Sequence, residues 1–439
     1  MTPDAFRDAH PGIERVELVV LDPNGVERGK RAPVAALGKA FDGGVNFPLS
    51  LHALDLWGTE VAETGLHIAS GDRDGFFRAV PGTLCVLPGG GAQVVLETWT
   101  ANGAPFAGCS RQVLRAAVDR LAAQDLHATC AFELEFHLLE PSRPGEEPRV
   151  ADVTALGASQ RMYELEPLRA HAAVLGAIEA AGEAAGLPID TIVKEAAPGQ
   201  YEVNLHHRGP KEGGALRAAD DAVVLRRIVR AAAHLNGLVA TFMAKPFADT
   251  AGNGAHVHVS LADGAGVNAF TDVAVLERGA AGLVATMAEA TLVFAANRNG
   301  FRRLQPGSYA PTRAVWGHNN RSVAVRVPAS PPLARRLEHR VAGADANPYL
   351  VLAAVLEGIR AGLEADMEPP APVDGNAYEG TAGEALPSSL EAALALWDGS
   401  AFARTAMGET MHRNLAHLRR AEIERFRGDI SPLERATFL

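Results

Sequence analysis

Five short stretches of the chain place acids, histidines and arginines at every second position, the spacing that sends side chains to one face of a β-strand. Glu133, Glu135 and His137 alternate with Phe132, Leu134, Phe136 and Leu138, and Glu202, Asn204 and His206 alternate with Tyr201, Val203 and Leu205. His256, His258 and Ser260 oppose Val257, Val259 and Leu261, directly after the flexible turn Gly252-Asn253-Gly254. Ser322, Ala324 and Arg326 oppose Val323, Val325 and Val327, and Arg336, Glu338 and Arg340 close the series. Any one of these reads as an amphipathic strand with its polar side in water. Solvated faces usually mix Lys, Thr, Ser and Gln, however, whereas these are dominated by Glu, His, Asn, Ser and Arg, the types that bind metal ions and phosphates. Taken together they fit a polar cavity lined by a curved sheet better.

If Glu133, Glu135, Glu195, Glu202 and Glu338 converge, each like-charged pair at 4 Å costs about 4 kcal/mol at an effective dielectric near 20. Bound divalent cations answer that repulsion. Carboxylate oxygens suit Mg²⁺, and one imidazole, His256 by preference, makes Mn²⁺ acceptable. Zinc fits less well because no cysteine lies among the candidates. Arg303, Arg321, Arg326, Arg336 and Arg340 suit the clamping of phosphate and carboxylate groups. Metals, acids and arginines in one cavity suggest phosphoryl transfer from a nucleotide. No GxxxxGK[ST] segment is present, so this is not a P-loop site.

The elements that must hold such a cavity come from 439 residues, 47% of them hydrophobic, enough for one large core and a smaller one. Between Arg15 and Thr100, β-rich runs at Val16–Leu21, Thr83–Leu87 and Gln93–Thr100 are separated by Gly- and Pro-containing turns, which predicts a small sheet domain over residues 1–103. Ser110 is placed to cap a helix with apolar positions at Val113, Leu114, Ala117, Val118 and Leu121. The second domain, 104–439, alternates strands with Ala-rich helices at Ala170–Ala185, Leu216–Leu235, Pro348–Leu363 and Thr410–Arg427. Glu368 to Pro387 reads as a loop.

Other classes are disfavoured. Apolar runs fall far short of the ~18 residues a membrane span needs, and the charged N-terminus does not resemble a signal peptide, so a cytoplasmic protein is expected. A net charge of −11 argues against nucleic-acid partners. Cys85, Cys109 and Cys130 lack metal-ligand or paired spacing and are expected to be buried, reduced thiols.

The segments Phe132-Glu133-Leu134-Glu135-Phe136, Glu195-Ala196-Ala197-Pro198-Gly199-Gln200-Tyr201-Glu202 and Gly252-Asn253-Gly254-Ala255-His256-Val257-His258 resemble motifs of the glutamine synthetase superfamily. The series continues through Asn319-Asn320-Arg321-Ser322, Leu337-Glu338-His339-Arg340 and Ala344-Asp345-Ala346-Asn347-Pro348-Tyr349, in order along nearly the whole chain. The resemblance implies an α+β fold, with a β-grasp-like N-terminal domain and a catalytic domain built on a curved antiparallel sheet flanked by helices. It makes Glu133, His256 and Glu338 ligands of one metal and Glu135, Glu195 and Glu202 ligands of the other. His258, Ser260, Arg326 and Arg336 match positions that contact ATP or its phosphates. Arg321 and Arg340 match phosphate- and glutamate-handling positions, Arg303 the arginine on the substrate α-carboxylate, and Gly252 a backbone contact to glutamate. ATP, Mg²⁺ or Mn²⁺, and a double-ring dodecamer with active sites between subunits are implied by the same resemblance, as is ligation of glutamate to an amine through γ-glutamyl phosphate.

Two departures bear on the amine. Ammonia-using members carry an acid within Pro-Gly-Tyr-Glu-Ala-Pro, where this chain has Pro306-Gly307-Ser308-Tyr309-Ala310-Pro311, and an Asp-Gly-Ser-Ser segment where it has Phe47-Pro48-Leu49-Ser50-Leu51-His52. The replacements resemble the γ-glutamylpolyamine (γ-glutamylputrescine) synthetase branch, making a putrescine-like diamine the first expectation and Tyr309 a substrate-pocket residue. Leu49, where that branch tends to have alanine, and Ala255, where it usually has methionine, leave ethanolamine or a small monoamine open. Ammonia-dependent glutamine synthesis, a guanidino kinase and a catalytically silent homologue are the competing readings; the last is opposed by the presence of all six metal-ligand positions. Tyr378, in a loop where some relatives are adenylylated, is expected to be simply exposed.

Overall fold

A computed structural model of the chain describes residues 2–143, 145–153 and 161–439. Among these, two sheets carry most of the strands. The first, six-stranded, uses β1 (Arg15–Leu21), β2 (Glu27–Pro33), β3 (Val45–Pro48), β4 (Asp74–Ala79), β5 (Cys85–Leu87) and β6 (Gly91–Trp99). Its path is β2-β1-β6-β4-β3, with β1 and β6 parallel and β5 paired to β6. Val16, Leu18, Phe77 and Val94 fill a small core of its own.

The second sheet has eight strands: β7 (Leu126–Leu139), β8 (Ile189–Lys194), β9 (Gln200–Leu205), β10 (Val239–Thr241), β11 (Ala255–Asp263), β13 (Trp316–His318), β14 (Val325–Val327) and β15 (Leu337–His339), while β12 (Arg313–Ala314) pairs with β16 (Glu384–Ala385). The order is β13-β14-β15-β11-β7-β9-β8, with β10 beside β7, and it is antiparallel apart from the β13–β14 pair. The alternation that aims Glu133 and Glu135 one way sends Phe132, Leu134, Phe136 and Leu138 into the main core, each at most 1% exposed. Burial of each such side chain contributes roughly 1.5–3 kcal/mol.

Helices back this apolar face. Gly214–Leu235 packs on β7, and Val273–Phe294 crosses Pro348–Glu364 at very close range. A Cβ added to Gly282 would fall 2.1 Å from the carbonyl oxygen of Gly358, so glycine permits that approach. Arg111, on the helix Ser110–Ala122, grips Asp220 with two 2.9 Å bonds, and Tyr349 donates to the same carboxylate at 2.7 Å. Asn347 caps Pro348–Glu364 and also donates to the Asp22 carbonyl and the Ser110 hydroxyl, joining the first sheet to the helical layer.

The local differences from expectation have physical causes. Ser110 is the first helical residue rather than the cap, because its hydroxyl is occupied by Asn347. The segment around Ser322 is a turn, since that hydroxyl bonds back to Asn320 Oδ1 at 2.7 Å; the strand begins only at Val325. The last long helix starts at Ala401 and is interrupted at Gly408. Tyr378 is half-buried, its hydroxyl donating to the Ala310 carbonyl at 3.1 Å, not simply exposed. All three cysteines are buried and free. No helix among the described residues is long and apolar enough to cross a membrane.

Candidate active site

Strand register brings the polar faces together. His256 on β11 lies opposite Glu133 on β7, which lies opposite Asn204 on β9; two residues along β7, Glu135 faces Glu202. On the other flank His258 faces Glu338 on β15, and Glu338 faces Arg326 on β14. Directly opposed side chains have Cβ atoms about 4.5–5.5 Å apart, so pairing alone concentrates these groups. Loops supply the rest. Glu195 sits in the β8–β9 turn, where the buried ammonium of Lys194 donates to the carbonyls of Glu195 (2.6 Å) and Ala197 (2.7 Å). Arg303 ends the short helix Gly300–Arg303, its guanidinium donating to the Val341 carbonyl at 2.8 Å. Gly252 passes so close to the Ala244 carbonyl that a Cβ would lie 2.2 Å from the oxygen.

Two adjoining cavities result. In one, of about 470 Å³, the acids Glu133, Glu135, Glu195 and Glu202 share the walls with His256, Gly252 and Tyr309, and with Arg303, Arg321, Arg326 and Arg340. The other, of about 420 Å³, shares Glu133 and Asn204 and adds His258, Ser260 and Arg336. Glu338 is 1% exposed, with one carboxylate oxygen on Arg340 and the other 2.7 Å from Arg326 Nη1.

The acids divide into two electrostatic kinds. Burial pushes the Glu133 carboxyl up, but the hydrogen bond to His256 (3.2 Å) and the close approach of His258 (2.9 Å) outweigh it and hold the group well below the ordinary range. Burial also raises Glu338, yet Arg340 and then the two histidines bring it to about 2. Glu195 is pushed up to about 7 by burial and then by the Glu135 charge. Burial, with Glu133, Glu135 and Glu195, raises Glu202 well above its usual value. Like charges this close resist full ionisation unless a further cation joins them.

The residues fit a divalent cation. Donor atoms of Glu133, Glu202 and His256 all lie within 4.8 Å of one another, as do those of Glu133, His258 and Glu338. His256 Nδ1 also lies 3.8 Å from Glu202 and 4.0 Å from Glu338, so one imidazole faces three carboxylates. Polar atoms wait around them: Asn204 Oδ1 and the Nε atoms of Arg326 and Arg340 are buried without partners.

Residues 107–438 match the catalytic domain of glutamine synthetase. The chain belongs to the glutamine synthetase family. Among relatives, γ-glutamylputrescine synthetase PuuA of Escherichia coli is 37% identical over 96% of this chain and 87% of its own length. Glutamate–isopropylamine ligase of a Pseudomonas species is 31% identical over 99% and 96%. The solved GmaS/ADP complex superposes with a TM-score of 0.85 at 26% identity, covering 100% of this chain and 99% of the other. Membership of the family implies ATP and a divalent metal, and the carboxylate–histidine clusters are a candidate site for the ion.

In the resemblance, Glu202 grouped with Glu135 and Glu195, and His258 with the nucleotide. The structure keeps Glu202 opposite Glu135 and adds clusters of Glu202 with Glu133 and His256, and of His258 with Glu133 and Glu338. Asn204 lines the cavity, as the alternation on its strand predicts, whereas sequence reasoning missed Gln200 and Tyr163. For Gln200 the signal was available, since 200, 202 and 204 share one strand face. Tyr163 follows no such period.

The raised acids invert the usual carboxylate response to pH. With its pKa raised to about 7 from an unfolded value near 4.5, Glu195 binds more protons folded than unfolded between those limits, so its contribution to the metal-free fold is largest at low pH and falls as pH rises towards 7. A metal takes the ionised form and displaces the proton. The rise in melting temperature caused by Mn²⁺ is therefore expected to grow from pH 5.5 to pH 7.5, and calorimetry at several pH values in buffers of different ionisation enthalpy should show proton release. A metal-induced rise independent of pH would contradict the assignment.

Proposed function

We propose that this chain ligates the γ-carboxylate of glutamate to an organic amine at the expense of ATP, with putrescine or a similar diamine as the acceptor. The observation that carries it is the acid cluster around His256 sharing one cavity with four arginines, on a chain 37% identical to a γ-glutamylputrescine synthetase. Glu133, His256 and Glu338 would hold one divalent ion and Glu135, Glu195 and Glu202 the other, Mg²⁺ or Mn²⁺ by donor type. Such ions, when bound, neutralise phosphate charge. His258, Ser260, Arg326 and Arg336 hold the nucleotide. Arg303, with Gly252, seats the amino-acid end of glutamate; burial lowers the Arg303 pKa despite the opposing charges of Glu135 and Asp345.

The γ-carboxylate oxygen takes the terminal phosphoryl group as the bond to ADP breaks. The neutral amine then attacks the acyl carbon, the C–O bond to phosphate breaks, and the proton lost from nitrogen leaves with the phosphate as hydrogen phosphate. Arg321 and Arg340 stabilise negative charge on the transferring group and on the tetrahedral intermediate. A third cavity, of about 480 Å³, borders the first at Met162, Ala196, Ser308 and Tyr309 and gives an amine room to approach. Tyr309 stands between the two. Its backbone is left-handed (φ 61°), unfavourable for a bulky side chain and consistent with a position kept for function. A double-ring dodecamer in the cytoplasm is part of this reading.

Phosphate release with ATP, glutamate and metal, compared across ammonium, putrescine, spermidine, ethanolamine and isopropylamine, tests the acceptor; a response to ammonium alone would return the chain to glutamine synthesis. Tyr309→Glu is expected to raise the ratio of kcat/KM for ammonium to that for putrescine by at least about tenfold, equivalent to about 1.4 kcal/mol. An unmoved ratio would remove Tyr309 from acceptor selection.

A further inference from the structure

Gln200 is 1% exposed and ties three parts of the site together. Its Oε1 accepts from the Ala197 N–H at 2.9 Å, which fixes the amide orientation and turns Nε2 towards the acids. One Nε2 proton goes to Glu135 Oε2 (3.1 Å) and the other to the Gly252 carbonyl (3.0 Å). The Gly254 N–H donates to that same Glu135 oxygen at 2.6 Å, leaving the other oxygen for the cavity. Behind the turn, Asn253 donates to the Met243 carbonyl at 2.9 Å, so its Oδ1 is the acceptor for His137 Nδ1 at 2.8 Å. One amide thus spans the β8–β9 turn, a carboxylate of the acid cluster and the glycine turn assigned to glutamate. Without its two protons, the Gly252 carbonyl loses its side-chain donor and Glu135 Oε2 keeps only the Gly254 N–H, so nothing ties the carboxylate to that carbonyl.

We propose that Gln200 is a positioning residue that locks the Glu135 carboxylate and the Gly252–Gly254 turn into one geometry, coupling metal affinity to glutamate binding. This rests on the metal and glutamate roles given above. Gln200 touches neither reacting atom; it acts through Glu135 and Gly252, as outer partners of metal ligands do.

The test uses the whole protein and two variants. Gln200→Met keeps the length and removes every hydrogen bond. Gln200→Glu keeps an acceptor for Ala197 but exchanges the two N–H donors for a carboxyl group that brings charge, or a single shared proton, next to Glu135. Titration of Mn²⁺ into substrate-free protein, followed by electron paramagnetic resonance, should show Gln200→Met binding about tenfold to a hundredfold more weakly than wild type. At saturating Mn²⁺ both variants should raise the glutamate KM by about tenfold while the ATP KM moves less than about twofold, a split that general loosening of the fold would not give. Should Gln200→Met fail to fold, the glutamate KM of Gln200→Glu decides. Wild-type Mn²⁺ binding with both constants unchanged in the variants would overturn the role of Gln200 alone. A wild-type protein that takes up no Mn²⁺ would overturn the metal reading and this role with it.

Discussion

Glu133→Gln is expected to lower the rate of γ-glutamyl amide formation by at least about 10³-fold, because it strikes the one group shared by both donor clusters. The substitution is isosteric and sits in the centre of the sheet, opposite His256 and Asn204, so strand pairing is retained. What changes is charge. The carboxylate that two histidines hold ionised becomes a neutral amide, whose NH₂ must face an imidazole N–H or turn away from it. Steady-state kinetics with an accepted amine, alongside Mn²⁺ binding to the free protein, checks this. A rate within tenfold of wild type would exclude Glu133 from the catalytic metal centre.

Glu338→Ala is expected to abolish phosphoryl transfer and, in contrast to Glu133→Gln, to destabilise the fold. Arg340 and Arg326 each donate to Glu338, and Arg340 is itself buried. Burial lowers the Arg340 pKa while Glu338 more than restores it. Removing one partner of such a pair costs roughly 3–5 kcal/mol, because the other charge stays buried. Glu338→Gln keeps an acceptor oxygen and should be less destabilised but similarly inactive. Denaturant unfolding and activity, measured together, separate the effects: a stable, active Glu338→Gln would show that Glu338 serves the arginines only as a hydrogen-bond acceptor and holds no metal.

The features legible in the sequence are those governed by a short period. The face carrying Glu133 and Glu135, and that carrying His256 and His258, follow from alternation, because a strand buried on one side permits no other register. The Ser322 segment failed the same rule, since local bonding between Asn320 and Ser322 competed successfully with the ladder. The approach of Glu202 to His256 was not legible. That depends on the pairing of β7 with β9 and β11, strands far apart in the chain, and only that register places Glu202 near His256. The coupling through Gln200 was hidden for the same reason: its partners, Glu135 and Gly252, lie 65 and 52 residues away.

The central claim, that the glutamate γ-carboxylate is activated by phosphorylation and then captured by an amine, is tested most directly with glutamate carrying ¹⁸O in both γ-carboxylate oxygens. With ATP, Mg²⁺ and putrescine, mass spectrometry should find one ¹⁸O in the released phosphate and one in γ-glutamylputrescine. Phosphate free of label, or no γ-glutamyl amide with any amine while ATP is consumed, would contradict it.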